Sequence, residues 1–356
     1  MKPAKLCLLF VVLAAFHSTP AFAESCSGAE PQLQLLAKDL DSNAILAAAA
    51  LLTSLQATYP DCSELMLSRA RLEAAQGQSA EAQHTFSQYL ALQPDSARGD
   101  AYFARFLIDQ QQYQRADDLS AAAYEKDPSD PAALAVRGQI LDMKGQTQQG
   151  LDLLSQSCQL NPDNADAQFQ LGAIYDRLKR PADAVPHFEK VVALDPGNAS
   201  AWDYLALNLE PLGDVKQAAT AYRKGLAANS SAPDSPTFDA FLDCNYGRFL
   251  EKQDKLAESL QHLNRAVELV PQIRSTWYER AKVNLQMKNY PAARSDAEKA
   301  ASLPEQAGGI INLQIYVLLE QIYRRLGETD LAQKYADLSR ETPPPVRKEY
   351  QQAAPQ

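Results

Sequence analysis

Pro60, Pro94, Pro128, Pro162 and Pro196 stand 34 residues apart, one after another. With 21 prolines in 356 residues, four successive intervals of one length are not an accident of composition, and a period of this size marks an array of repeats. Numbering each repeat so that its proline is position 32 brings other residues into register. Position 8 is Ala70, Ala104, Gly138, Gly172 and Ala206. Position 20 is Ala48, Ala82, Ala116, Gly150, Ala184 and Ala218. Position 24 is Leu52, Phe86, Ser120, Leu154, Phe188 and Tyr222, and both Trp202 and Trp277 fall at position 4.

This pattern specifies two helices per repeat. Small residues at positions 8 and 20 let two helix backbones approach, and large residues at 4, 7, 11 and 24 fill the space around that contact. Gly77, Gly145 and Gly213, at position 15, end the first helix, because glycine accepts the left-handed backbone required there. The proline after the second helix cannot continue it and turns the chain into the next repeat. Only 14 glycines in the whole chain fits a helical reading.

These residues resemble the tetratricopeptide repeat family, most closely from Gln170-Leu171-Gly172-Ala173-Ile174-Tyr175 through Ala184, Phe188 and Pro196. The resemblance implies an all-α fold, a right-handed superhelical solenoid of stacked antiparallel helix pairs. Nine units follow from the register: 29–62, 63–96, 97–130, 131–164, 165–198, 199–232, 240–273, 274–307 and 313–346. Units one to six occupy 24–232 and units seven to nine 240–346, with an insertion loop at 233–239 and a C-terminal tail at 347–356. The insertion reads either as a tolerated loop or as a hinge. A second short insertion near Gly308-Gly309 precedes the last unit.

Residues 1–23 are expected to be a secretory signal. Lys2 and Lys5 precede an apolar run from Leu6 to Phe16, and Ala21-Phe22-Ala23 offers small residues at a cleavage site after Ala23. The run is about half the ~20 residues a spanning helix needs. No later stretch is long and apolar enough to span, so a periplasmic or secreted chain without an integral membrane segment is expected once the signal is removed. A lipid on Cys26 is an alternative, which Glu24 suits poorly. Loss of Lys2 and Lys5 takes the net charge from −10 to −12, which speaks against nucleic acid as a partner.

In an oxidising compartment, Cys26 before the first helix of unit one and Cys62 after its second are positioned for a disulfide. Cys158 falls at a packing position, and Cys244 is too far from it along the array to pair. His84, His187 and His262 recur at positions 22 and 23 with no partner at ligand spacing, so no metal is expected. The chain has no phosphate loop, nucleophile elbow or paired-cysteine motif, and the expectation is a non-catalytic protein without cofactors.

In the resembled family the first helix of each unit lines an inner face through positions 2, 5, 9 and 12. Carried onto this chain, that implies a groove for a protein or peptide made by Arg71, Arg105, Phe169, Asp176, Asp203, Phe241, Arg248, Tyr278, Lys282 and Arg324. Cations beside aromatic rings suit an extended peptide with acidic or carboxylate groups. Some family members clamp a C-terminal carboxylate with Lys at position 5 and Asn at position 9, and no unit here has that pair. The expected role is an exported scaffold or adaptor in envelope assembly or export, the alternative being a regulatory or substrate-holding subunit of an envelope enzyme.

Overall fold

The repeat geometry is realised by eighteen α-helices among the described residues, which in this computed structural model are 26–231, 236–305 and 309–342. The expected signal at 1–23 and tail at 347–356 lie outside them. The chain divides into two compact units between residues 167 and 168.

The first unit contains α1 (Glu30–Asp41), α2 (Ile45–Thr58), α3 (Ser63–Ala75), α4 (Ser79–Leu92), α5 (Ala97–Asp109), α6 (Tyr113–Lys126), α7 (Pro131–Met143) and α8 (Thr147–Leu160). Each helix packs on the next in sequence, and the first helices of successive pairs, α1, α3, α5 and α7, also touch in order. The division falls inside α9 (Ala165–Arg177). The second unit continues with α10 (Pro181–Leu194), α11 (Ala199–Leu209), α12 (Val215–Ser231), α13 (Pro236–Lys252), α14 (Leu256–Leu269), α15 (Arg274–Gln286), α16 (Tyr290–Ser302), α17 (Asn312–Leu326) and α18 (Thr329–Glu341). Here α11, α13, α15 and α17 form the corresponding row of first helices. Among the described residues no helix is long and apolar enough to cross a membrane.

The register explains the local structure. The alanines at positions 8 and 20 from Ala48 to Ala218 have no exposed surface, and Phe86, Leu154, Phe188 and Tyr222 at position 24 are equally enclosed. Where both small residues are glycine, α7 and α8 meet backbone to backbone: a Cβ on Gly150 would stand 2.7 Å from the Gly138 carbonyl oxygen. Position 15 is left-handed in all nine pairs, at Gly77, Gly145, Gly213 and Gly327, and at Asn43, Gln111, Lys179, Asp254 and Lys288. The turn therefore imposes its backbone even where no glycine relieves it.

Two residues after the repeat proline a side chain caps the next first helix. Ser96, Asp130, Asn164 and Asn198 accept from backbone N–H groups two or three residues on, at 2.9–3.0 Å. These caps went unread in the sequence.

The insertion differs from expectation. Residues 236–239, expected in the loop, form the first turn of α13, while 232–235 lie outside the described residues. Pro236 suits the first helical position because its fixed φ is helical and its missing N–H would have no partner there. The Asn229 side-chain amide donates to Asp239 at 2.8 Å and ties this turn to α12. Ser230 replaces the proline that would have stopped α12, which runs on to Ser231.

Candidate functional site: the row of first helices

In the first unit the expected groove cations are consumed internally. Arg71 on α3 donates through Nη2 to Asp41 Oδ1 at 2.5 Å, and its guanidinium lies 3.8 Å from the centre of the Tyr102 ring. Tyr102 Oη and Asn161 Nδ2 also donate to Asp41, at 3.2 and 2.7 Å. Arg105 forms a two-pronged pair with Asp166 at 2.7 and 2.9 Å and a third bond to Asp109 at 2.6 Å.

Near the start of the second unit, Phe169 is half-buried and stands edge-on to Phe188 and Tyr204, with ring centres 5.6 and 5.5 Å apart. It serves as core. Asp176 accepts from Asn208 Nδ2 at 3.0 Å.

Five of the expected residues stand on α11, α13 and α15, neighbours in the row of first helices: Asp203, Phe241, Arg248, Tyr278 and Lys282. Polar bridges join these helices. Asn245 Nδ2 donates to Asp203 Oδ2 at 3.0 Å, and Lys252 Nζ meets Glu210 Oε2 at 2.7 Å. Lys282 Nζ meets Glu279 at 2.7 Å and Glu251 at 3.9 Å, and Gln286 also donates to Glu251. Phe241, Asn245, Arg248 and Lys252 follow at spacings of four, three and four, which places them along one stripe of α13. Phe241 is 40% exposed, and the ammonium of Lys282 sits 5.9 Å from the Tyr278 ring centre. Phe241 is thus exposed and Tyr278 partly so, on neighbouring first helices.

Burial shapes the electrostatics. Asp203 is 6% exposed, and burial pushes its carboxyl up to about 7 against the opposing effects of Asn245 and Arg248. Burial also works against the charge of Arg248, but Tyr222, Glu210 and Glu279 around it outweigh that and hold it protonated. Asn245, Glu210, Lys252, Glu251 and Glu279 were missed in the sequence. All but Glu210, which follows Asp203 by seven residues, lie within a helical turn of a position that was named, and the family's inner-face positions alone do not select them.

Arg324 on α17 is exposed and pairs with Glu320 one turn away at 2.7 Å.

The cysteines among the described residues, with His187 and His262, are bonded or buried within the fold. Cys26 and Cys62 are joined as a disulfide with Cα atoms 4.9 Å apart. Glu64 completes the cluster of metal-ligand type found among the described residues, but bonded sulfurs offer no thiolate. Burial pushes the thiols of Cys158 and Cys244 up to about 12, far from a reactive thiolate. His187 and His262 bond to Gln168 and Asp243 at 2.7 and 2.8 Å.

Comparison with known proteins agrees with this architecture. Two family models described as tetratricopeptide repeat match residues 143–209 and, for the second, 67–131 and 245–308. A third, described as Iml2/Tetratricopeptide repeat protein 39, matches 4–98. The type IV pilus assembly protein PilF of Pseudomonas aeruginosa is 31% identical over 140 residues, 39% of this chain and 53% of that protein. A DnaJ homolog subfamily C member 7 homolog of Dictyostelium discoideum is 22% identical over 250 residues, 66% of this chain and 42% of that protein. The chain thus spans about half the length of the relatives it matches. Among solved structures, the Cut9–Hcn1 hetero-tetramer of the APC/C covers 84% of this chain and 57% of that one, with a TM-score of 0.65 at 15% identity. That of Pseudomonas aeruginosa pilF covers 60% and 92%, with a TM-score of 0.50 at 20% identity. At these identities the structural likeness speaks for the fold alone.

Proposed function

The chain belongs to the tetratricopeptide repeat family, and from that premise we propose that it is an exported, non-catalytic scaffold that binds a protein or peptide on the α11–α13–α15 surface. Family membership supports a protein–protein interaction scaffold. The observation that carries the choice of surface is the pair Phe241 and Tyr278, aromatic side chains left accessible on neighbouring first helices beside Arg248 and Lys282. Lys282, like Arg71 and Arg105 in the corresponding row of the first unit, is engaged by internal carboxylates, so the choice rests on the aromatic pair. Accessible aromatics with fixed polar neighbours are the usual anchors of a binding surface.

Export is supported by the charged-then-apolar pattern of residues 1–23 and by the Cys26–Cys62 disulfide, a bond that persists outside reducing compartments. The partial similarity to a pilus assembly protein supports a place in envelope assembly. A photo-crosslinking residue at position 241 or 278, activated in intact cells, should capture a defined envelope protein. The same probe at Leu46, exposed on α2 of the first unit, should not. Identical captures from the two surfaces would reject this assignment.

A further inference from the structure

The second helix of the sixth pair carries charge of one sign. α12 holds Lys216, Arg223 and Lys224 and no acidic residue, in a chain whose net charge is −10. Among the described residues none of the three forms an ion pair with a carboxylate. Lys224 lies over Trp202 instead, its ammonium 4.5 Å from the ring centre, and Arg223 donates to Ala219 and Thr220 of its own helix.

Both lysines border a trough of about 650 Å³. α10 and α12 form its walls, and α11, on which both pack, forms its floor. That volume lies within the range of sites for one small organic molecule, about 300–1,000 Å³. Trp202, Leu205 and Leu209 line the floor at spacings of three and four, along one stripe of α11. Eight residues separate Lys216 from Lys224, about 12 Å of helix, so the trough is elongated. α11 and α12 run antiparallel, which sets Lys216 at the Leu209 end and Lys224 at the Trp202 end. Glu189 on α10 falls at position 25 of its unit, level with Lys224 at position 26 of the next. The Trp202 end is therefore balanced in charge, and the Leu209 end has a cation alone.

The array does not repeat this set. Position 18 is lysine in the sixth unit only, at Lys216. In the eighth unit, where Trp277 takes the place of Trp202, the counterparts of Leu205, Leu209 and Lys216 are Arg280, Asn284 and Pro291. A long apolar floor with an unanswered cation at one end matches a molecule with an apolar chain and one acid group. We propose that the trough binds a medium-chain fatty acid, its carboxylate at Lys216 and its chain along Leu209 and Leu205 toward Trp202. This site uses neither Phe241 nor Tyr278 and is independent of the function proposed above.

Tryptophan fluorescence of the full chain tests it. Trp277→Phe leaves Trp202 as the single reporter. At neutral pH and below its micelle concentration, 12-bromododecanoate should quench Trp202 saturably, because the bromine at the chain end reaches the ring. The 2-bromo isomer carries its bromine beside the carboxylate and should quench several-fold less at saturation. Lys216→Gln should raise the half-saturating concentration several-fold, and Lys216→Arg should not. The uncharged 12-bromododecanol should bind several-fold more weakly than the acid. In Trp202→Phe, where Trp277 alone reports, no saturable quenching is expected. Should one tryptophan variant not fold, the indole N–H resonances of the wild-type chain, assigned with the other variant and followed by NMR as dodecanoate is added, give the same comparison. Quenching that is absent, linear in the acid or equal at Trp277 would overturn the proposal. So would equal quenching by the two isomers, equal binding of acid and alcohol, or indifference to Lys216→Gln.

Discussion

Asp41 and Asn161 lie 120 residues apart in sequence and are joined by a 2.7 Å hydrogen bond from the Asn161 amide to Asp41 Oδ2. Asp41 ends α1 and Asn161 follows α8, so one carboxylate links the first and fourth helix pairs, with Arg71 and Tyr102 of the second and third bonded to its other oxygen. Asp41 and Arg71 expose only 9% and 13% of their side chains. Removing one partner of a buried pair strands the other. Asp41→Ala should therefore destabilise the first unit by about 3 kcal/mol, and Asp41→Asn by less because it keeps an acceptor for Tyr102. Urea unfolding read by hydrogen exchange in α3 and α5 measures this, and an unchanged midpoint in Asp41→Ala would show that the network contributes nothing.

The contact of α7 with α8 depends on two glycines. A methyl group at position 150 meets the backbone oxygen of Gly138, which cannot swing aside as a side-chain tip could. Gly150→Ala should cost about 1–3 kcal/mol by forcing the helices apart, even though alanine is the better helix former. Ala184, at the same repeat position of the next pair, is the control: Ala184→Gly should lose about 1 kcal/mol through the ordinary helix penalty. Thermal unfolding of both variants decides it, and a stabilised Gly150→Ala would refute the backbone-contact account.

Asp203 makes the second unit sensitive to pH. Its carboxyl is raised to about 7, chiefly by burial, so the folded chain keeps a proton that the unfolded chain releases near pH 4. Below about pH 4 both states hold the proton and the group has no effect on stability. Between about pH 4 and pH 7 the unfolded state gains by ionising, and this contribution falls as pH rises, levelling off above the folded value. Asp203→Asn retains an oxygen for the Asn245 amide and has no proton to release. Relative to the wild type it should gain on the order of 2 kcal/mol in unfolding free energy between pH 5 and pH 8. Parallel pH profiles for the two proteins would contradict this.

The Cys26–Cys62 bond spans a sequence separation of 36 and fastens the start of α1 to the start of α3. Closing a loop of that length restricts the unfolded chain and should contribute roughly 3 kcal/mol to the first unit. A Cys26→Ser/Cys62→Ser variant should show faster amide exchange in α1 and α2, with α14 to α18 unaffected. Equal exchange throughout would mean that the bond does not hold the first pair in place.

The sequence alone determined the helix pairs and their register, because those depend on local requirements: a proline that ends a helix, a left-handed residue at position 15, and small residues where two neighbouring helices touch. Even Gln111 and Lys179 adopt the left-handed turn, since the register demands it irrespective of residue type. The caps at Ser96, Asp130, Asn164 and Asn198 were legible in principle from their fixed distance after the proline. Tertiary structure decided which of the expected groove residues are paired within the chain. Arg71, Arg105 and Arg248 share position 9 of their repeats and look equivalent on paper. The partner of Arg71 lies 30 residues away, that of Arg105 lies 61 away, and Arg248 has none among the described residues. An ion pair between repeats depends on where two long side chains end in space, and no period in the sequence encodes that.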